Sequence, residues 1–308
     1  MLRRSKDSLG VLGVILGIFG LGFGSGCSEP TPQPFHLQIV SIDAHGGPKL
    51  PDERVHAIVR RSLERSPSFT PAERDQRSGG RKDTLVATFE YRELPDPTDH
   101  GRDLLVRLDV EPPEQLAARL GPEGLDVTVL LEREAGQADL ATDLQLATDR
   151  ATAVLQARTD LALGTPGIVD RLLRSSEPDL VILTLQWIRE HGDDPQAVTA
   201  ADRVAELINH DDEELGLLAI ETIGRIGGPQ HVSAVLERIR LANTMQVSRA
   251  YDAIAQLGGP EAEGFLLFAA RNEDEPDRRA AAERALRRVA GSDMVGRSRG
   301  RHPNRGHR

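Results

Sequence analysis

The sequence predicts an α+β sandwich of order β-α-β-β-β-α over residues 35–164, followed by an all-α solenoid over residues 165–291. Three observations carry this. Apolar and polar residues alternate with period two in four segments between Phe35 and Leu131, as in strands with one buried face. Two segments instead keep helical period, around Val55–Leu63 and Leu140–Leu161. In the second half a motif of small and branched apolar residues ending in Gly-Gly-Pro recurs 31 residues later, the mark of a stacked repeat.

Composition bounds the rest. The 308 residues are 39% hydrophobic, which is enough for real cores, and only 3% aromatic, which argues against stacking sites for bases or sugars. One cysteine excludes a disulfide framework and a multi-thiolate zinc site. The formal net charge is −10; residues 1–26 contribute +2 and residues 292–308 contribute +4, which leaves −16 on residues 27–291. A body that acidic repels nucleic-acid phosphates, so no nucleic-acid partner is expected.

The first 26 residues read as an address. Arg3, Arg4 and Lys6 precede an apolar run from Leu9 to Phe23, and Gly24-Ser25-Gly26 supplies small residues before Cys27. The run is shorter than the roughly 20 residues of a spanning helix, and six glycines fall from Gly10 to Gly24. Residues 27–34 are polar and proline-rich, a tether. Gly24-Ser25-Gly26-Cys27 resembles the lipobox of bacterial lipoproteins, with Gly24 where that family usually has leucine. The resemblance implies that residues 1–26 are a signal peptide, that Cys27 is lipidated, and that Ser28 is compatible with an outer-membrane location.

In chain order, Phe35, Leu37 and Ile39 share one face of the first strand, and Val55, Ile58, Val59 and Leu63 one stripe of the first helix. Three further strands follow around Leu85–Tyr91, Leu104–Val110 and Leu125–Leu131, read as an antiparallel, half-wetted sheet of four strands. A long helix from about Asp139 to Leu163 closes the domain, burying Leu140, Leu144, Ala147, Ala151, Val154 and Leu161. This element order resembles small envelope lipoproteins of the lipopolysaccharide-assembly and transport-auxiliary kind, across about 130 residues and without a diagnostic motif.

In the second half, Ala219-x-x-x-Ile223-x-x-Ile226-Gly227-Gly228-Pro229 recurs as Ala250-x-x-x-Ile254-x-x-Leu257-Gly258-Gly259-Pro260. Looser copies stand at Ile188–Gly192 and Ala282–Gly291. Each unit reads as helix, turn, helix: glycine ends the first helix in a left-handed cap and proline starts the second. One pair cannot bury its own apolar face, so neighbours must stack. The pattern resembles short HEAT-like repeats, including those of phycobilisome-lyase-type proteins. The bilin handling of some such relatives finds no supporting cysteine or aromatic pocket here. The helix from Asp139 and a short one at Pro166–Arg174 fit the first pair, which would make the boundary a shared helix. Residues 292–308 hold five arginines and almost nothing to pack, and are expected to form a disordered basic tail.

Chemistry is sparse. His36, His45, His56, His100, His191, His210 and His231 are scattered, with no pair at helical spacing, and His302 and His307 lie in the arginine-rich end. Asp193-Asp194 and Asp211-Asp212-Glu213-Glu214 read as helix starts, because acids complement an N-terminal dipole. With the lone Cys27 assigned to lipid and no histidine pair at ligand spacing, no catalytic residue, cofactor or metal site is expected, and the chain is read as not an enzyme. Trp187, the lone tryptophan, fits either core packing or a binding anchor.

The leading expectation is a lipid-anchored envelope scaffold or assembly factor, facing the periplasm, that holds another envelope protein on its solenoid and the membrane through Cys27. The alternative is a lipid- or lipopolysaccharide-handling accessory that uses residues 35–164. Substituting Cys27→Ala should abolish acylation, read as loss of labelled fatty acid from the purified chain. Label that persists in the variant contradicts the lipobox reading.

Overall fold

The alternating segments become a sheet in the computed structural model, which describes residues 34–72, 83–95, 102–120, 124–133, 139–239 and 244–299. The signal-like segment, Cys27 with its tether to Gln33, His100, and everything from Gly300 onward, His302 and His307 included, lie outside the described residues. All described residues belong to one compact unit beginning at Pro34.

Strand β1 (Phe35–His45) is followed by helix α1 (Asp52–Glu64), a short strand β2 (Phe69–Pro71), β3 (Thr84–Pro95), β4 (Arg102–Glu111), helix α2 (Glu114–Ala117) and β5 (Val127–Leu131). The sheet order is β2-β1-β3-β4-β5. Two expectations need correction. The sheet has five strands, because Phe69 is buried beside β1 in a run of three residues too short to show alternation. It is also mixed, not antiparallel: β1 runs parallel to β2 and β3, whereas β3-β4 and β4-β5 are antiparallel. The physical reason is α1, which carries the chain from the end of β1 back to its beginning, so the next strand must run the same way.

The sheet's inner face holds Leu85, Ala87, Phe89 and Tyr91 of β3 and Leu104, Val106, Leu108 and Val110 of β4, all buried. Against it lie Val55, Ile58, Val59 and Leu63 of α1 and the first half of α3 (Leu140–Leu163). Asp139 starts α3 as its cap, accepting from the Thr142 backbone N–H, and Gly164 ends it at φ 68°. α3 is shared by two cores. Leu144, Ala147, Ala151 and Leu155 pack on the sheet, while Ala157 and Leu161 belong to the helical array.

The array continues as α4 (Ile168–Leu173), α5 (Pro178–Glu190), α6 (Pro195–Thr199), α7 (Ala201–Leu207), α8 (Glu213–Ile226), a 3-10 turn at Pro229–His231, α9 (Val232–Ile239), α10 (Thr244–Leu257), α11 (Gly259–Asn272) and α12 (Pro276–Arg299). The first helices of successive units, α5, α8, α10 and α12, pack side by side. Ile223 and Ile254 are both fully buried in the common core, as their equivalent positions require. α12 runs to Arg299, past the boundary drawn at Gly291.

The Gly-Gly-Pro turns do not all work as expected. Gly227 has extended backbone, φ −79° and ψ −178°, so no left-handed cap forms there. Glycine is needed for space: an added Cβ would stand 2.6 Å from the Ile223 carbonyl oxygen and 2.8 Å from the Leu257 side chain. In the next turn Gly258 and Gly259 do have positive φ, 69° and 87°, and a Cβ on Gly259 would lie 2.9 Å from Pro229 Cβ. Consecutive turns therefore stack proline on glycine.

Truncating Ile254→Ala removes a fully buried side chain and should cost about 2–5 kcal/mol. Gly259→Ala adds backbone strain to the clash with Pro229 and should cost about 1–3 kcal/mol. Urea melts of both variants check this; unchanged midpoints would mean that the repeat core is not where these residues sit.

Candidate functional site

The sequence's candidate chemistry stays dispersed. His36 lies 3.8 Å from Asp83 and His45 4.0 Å from Glu90, both on the sheet. His56 lies half-buried on α1. His210 Nδ1 accepts from the Asp212 backbone N–H. His231 is buried: its Nδ1 accepts from the Gly228 N–H at 3.1 Å, so Nε2 carries the proton and donates to Asp202 at 2.9 Å. That histidine ties one turn to the preceding unit and does no visible chemistry. Asp194 and Asp212 are the caps of α6 and α8, each accepting from a backbone N–H of its helix. Among the described residues no group of three His, Cys, Asp or Glu side chains is placed to hold a metal, and no helix is long and apolar enough to cross a membrane.

Burial and the carboxylate of Glu273, which accepts its hydroxyl, push the Tyr251 phenol well above its ordinary value. With Phe265 at 5.9 Å between ring centres, this tyrosine locks α10 to α11 and to the residue that caps its end. It is an anchor of the core rather than an acid or base.

What the fold does bring together is a cleft of about 740 Å³ between α3, α5 and the segment after α2. Leu120, Leu161, Ala162 and Leu183 form its apolar wall, and Trp187 projects into it. The Trp187 ring stacks on His191, 4.6 Å away and 11° from parallel. His191 Nδ1 lies 3.0 Å from the Trp187 carbonyl oxygen, which can only accept, so Nδ1 carries the proton. Arg119, Arg158 and Arg189 line the same cleft against the single carboxylate of Glu190.

Trp187 stands at the repeat position that later units fill with Thr222, Ala253 and Ala285. Those positions face the preceding unit. Thr222 Oγ1 lies 3.5 Å from the Leu185 carbonyl of α5, and Ala253 sits against Gly224 of α8, where a Cβ would come within 2.9 Å. Small residues are needed where a helix follows closely. At Trp187 the neighbour is α3, farther off, and the space left over is the cleft. Both sequence readings of Trp187 are thus met at once: it is half-buried against the core and exposed to the cleft.

From Arg189 the surface continues along the first helices. Glu221 on α8 accepts from Arg189 of α5 at 3.1 Å and from Arg249 of α10 at 2.9 Å. Asp252 of α10 pairs with Arg288 of α12. The ion pairs border a depression of about 390 Å³ that includes Arg225, and then one of about 410 Å³ between Asp252, Arg284, Arg287 and Arg288. Arg189 borders the first two hollows and Asp252 the last two, so the three lie next to one another. Single-residue reading of the sequence missed this surface. The signal was in the repeat columns, where Gln186, Glu221, Asp252 and Arg284 occupy one exposed position and Glu190, Arg225, Gln256 and Arg288 another. A separate hollow of about 310 Å³ lies at the sheet edge beside Leu37, His56 and Pro71.

A family model of HEAT repeats matches residues 200–287. The chain thus carries HEAT-like repeats from α7 to the middle of α12, and α5, with Trp187, lies outside the match. No curated protein and no solved structure matches the chain.

Glu221 is the bridging carboxylate of this surface, and the arginines it joins are half exposed. Glu221→Ala should lower stability by less than about 1 kcal/mol at low salt, and by still less at high salt, where exposed pairs are screened. Urea melts at the two ionic strengths check it. A loss that salt leaves unchanged would contradict a surface role.

Proposed function

We propose that this chain is a scaffold of a bacterial cell envelope, lipid-anchored through Cys27, that binds another envelope protein on its solenoid and performs no chemistry of its own. One observation carries the reading: the first helices α5, α8, α10 and α12 present a row of adjoining hollows lined by charged residues, beginning at a cleft with an aromatic side chain. HEAT-like repeats suit that use, since stacked units expose a long surface whose backbone is held by a shared core. The anchor rests on the lipobox resemblance around Cys27 and the proline-rich stretch after it. A chain built this way would hold a partner close to the membrane and away from competing surfaces, as an assembly factor does.

Photo-crosslinking in native envelope tests the proposal. A crosslinkable residue replacing exposed Gln256, on the first-helix face, should give a discrete protein adduct. One replacing Phe268, which is 62% exposed on α11, serves as the comparison. No adduct from either site overturns the scaffold reading, and an adduct from Phe268 alone moves the binding face to the second helices.

A further inference from the structure

The hollowed face carries charge of the opposite sign to the body around it. Residues 27–291 have a net charge of −16, yet eight arginines and only three carboxylates line the three adjoining hollows. The acids of the array gather elsewhere. Glu177 and Asp179 stand at the start of α5, Asp211–Glu214 at the start of α8, and Glu273–Asp277 at the start of α12. Cations near helix C-termini complement the helix dipole, which accounts for Arg189 and Arg225 in the last turns of α5 and α8. It does not account for Arg249, in the second turn of α10, or for Arg284, Arg287 and Arg288, in the middle of α12.

Arg189, Arg249, Arg287 and Arg288 each pair with an acid, but three of the eight arginines do not. Among the described residues, no carboxylate lies within ion-pair distance of Arg119, Arg225 or Arg284. These three stand in the cleft, in the middle hollow and in the last hollow respectively. Each section of the trough thus keeps a guanidinium free to pair with an incoming acid, and guanidinium–carboxylate pairs are charge-assisted and directional.

We infer that this arginine-lined trough recognises an extended acidic segment of a partner protein, with an apolar or aromatic side chain of that segment seated against Trp187. The length fits a peptide. Packed helices lie about 8–10 Å apart, so the three steps from α5 to α12 span roughly 25–30 Å, which about nine residues of extended chain cover. The chemistry fits a protein better than a nucleic acid. Single-stranded nucleic acids need a series of aromatic platforms, and the trough has one stacked pair, Trp187 and His191, at one end. Glu190, Glu221 and Asp252 lie in the path, where a continuous run of phosphates would meet them. A peptide can place neutral residues opposite those three and acids opposite the free arginines. The inference rests on the scaffold reading and names the chemistry of its partner.

The test uses the full-length chain, whose only tryptophan reports on the cleft. The probe is a labelled peptide of about nine residues, rich in Glu and Asp and ending in Phe-Leu. Its comparators are the same peptide with Gln and Asn in place of the acids, an oligothymidylate of equal charge, and phosphatidylglycerol vesicles. The acidic peptide should bind, shift Trp187 emission, and lose affinity steeply with salt. The double variant Arg225→Glu/Arg284→Glu should weaken it by about tenfold or more while melting like the parent, since neither arginine holds an ion pair. Equal binding of the neutral peptide, an unchanged affinity in the double variant, or tighter binding of the oligothymidylate or the vesicles overturns the inference. The crosslinking experiment separates the two readings. A native adduct at Gln256 that survives Arg225→Glu/Arg284→Glu overturns the acidic-segment inference and leaves the scaffold reading standing. Peptide binding that follows the charge rules, with no native adduct from any site, does the reverse.

Discussion

Helix α3 is buried at both ends by different cores, and the arrangement of everything after the sheet depends on that double burial. A helix of 24 residues is about 36 Å long. Its first half is held on the sheet by Leu144, Ala147, Ala151 and Leu155, and its last turns lie in the helical core through Ala157 and Leu161. A polar seam fixes its rotation. Asp149 accepts from Ser62 and Arg65, and Gln156 from Ser66, all at or just after the end of α1. Asp160 accepts from Ser68 at 3.3 Å and from Arg171 of α4 at 3.1 Å, so one carboxylate joins the sheet domain to the first short helix of the array. With the two parts sharing a helix, α5 cannot close fully on α3, and the cleft at Trp187 is what that geometry leaves open.

The same packing sets the spacing of charge on the array. Gly224 and Ala253 let α8 and α10 approach closely, and helices that close have little room for long side chains between their axes. Residues one to three positions away, such as Glu221, Arg225 and Asp252, are turned out onto the rim. A repeat therefore presents the same exposed column once per unit, and substitutions in that column change the surface without touching the core. Glu221 and Asp252 hold bridging acids, while Arg284 and Arg288 on the last helix make it strongly basic.

Much of the fold was legible because burial leaves a period in the sequence. The stripe Val55, Ile58, Val59 and Leu63, the alternation of Leu85 to Tyr91, and the equivalence of Ile223 and Ile254 each record one buried face. The acids at Asp194 and Asp212 were readable as helix starts because capping is local. What escaped was set by contacts distant in sequence. β2 exists only because β1 offers an edge to Phe69, and three residues carry no period. Gly227 looked like a conformational glycine, but its need is steric and comes from Leu257 in the next unit. The trough escaped for a related reason. Its arginines are ordinary surface residues one by one, and they become a surface only when four helices are laid side by side.

Opposite charge on trough and body also limits what can bind. Exposed charges are screened beyond about 8 Å at physiological ionic strength, so the guanidiniums act only on groups already within the hollows, while the surrounding acids act on whatever extends past them. A long polyanion gains contacts in the trough and then meets Asp211–Glu214 or Glu273–Asp277 at the far ends of the same helices. A short acidic stretch in an otherwise neutral or basic partner gains the first term and avoids the second. Discrimination of this kind comes from repulsion placed around the site as much as from attraction within it. It allows an acidic protein to use arginines for recognition without becoming a general anion binder.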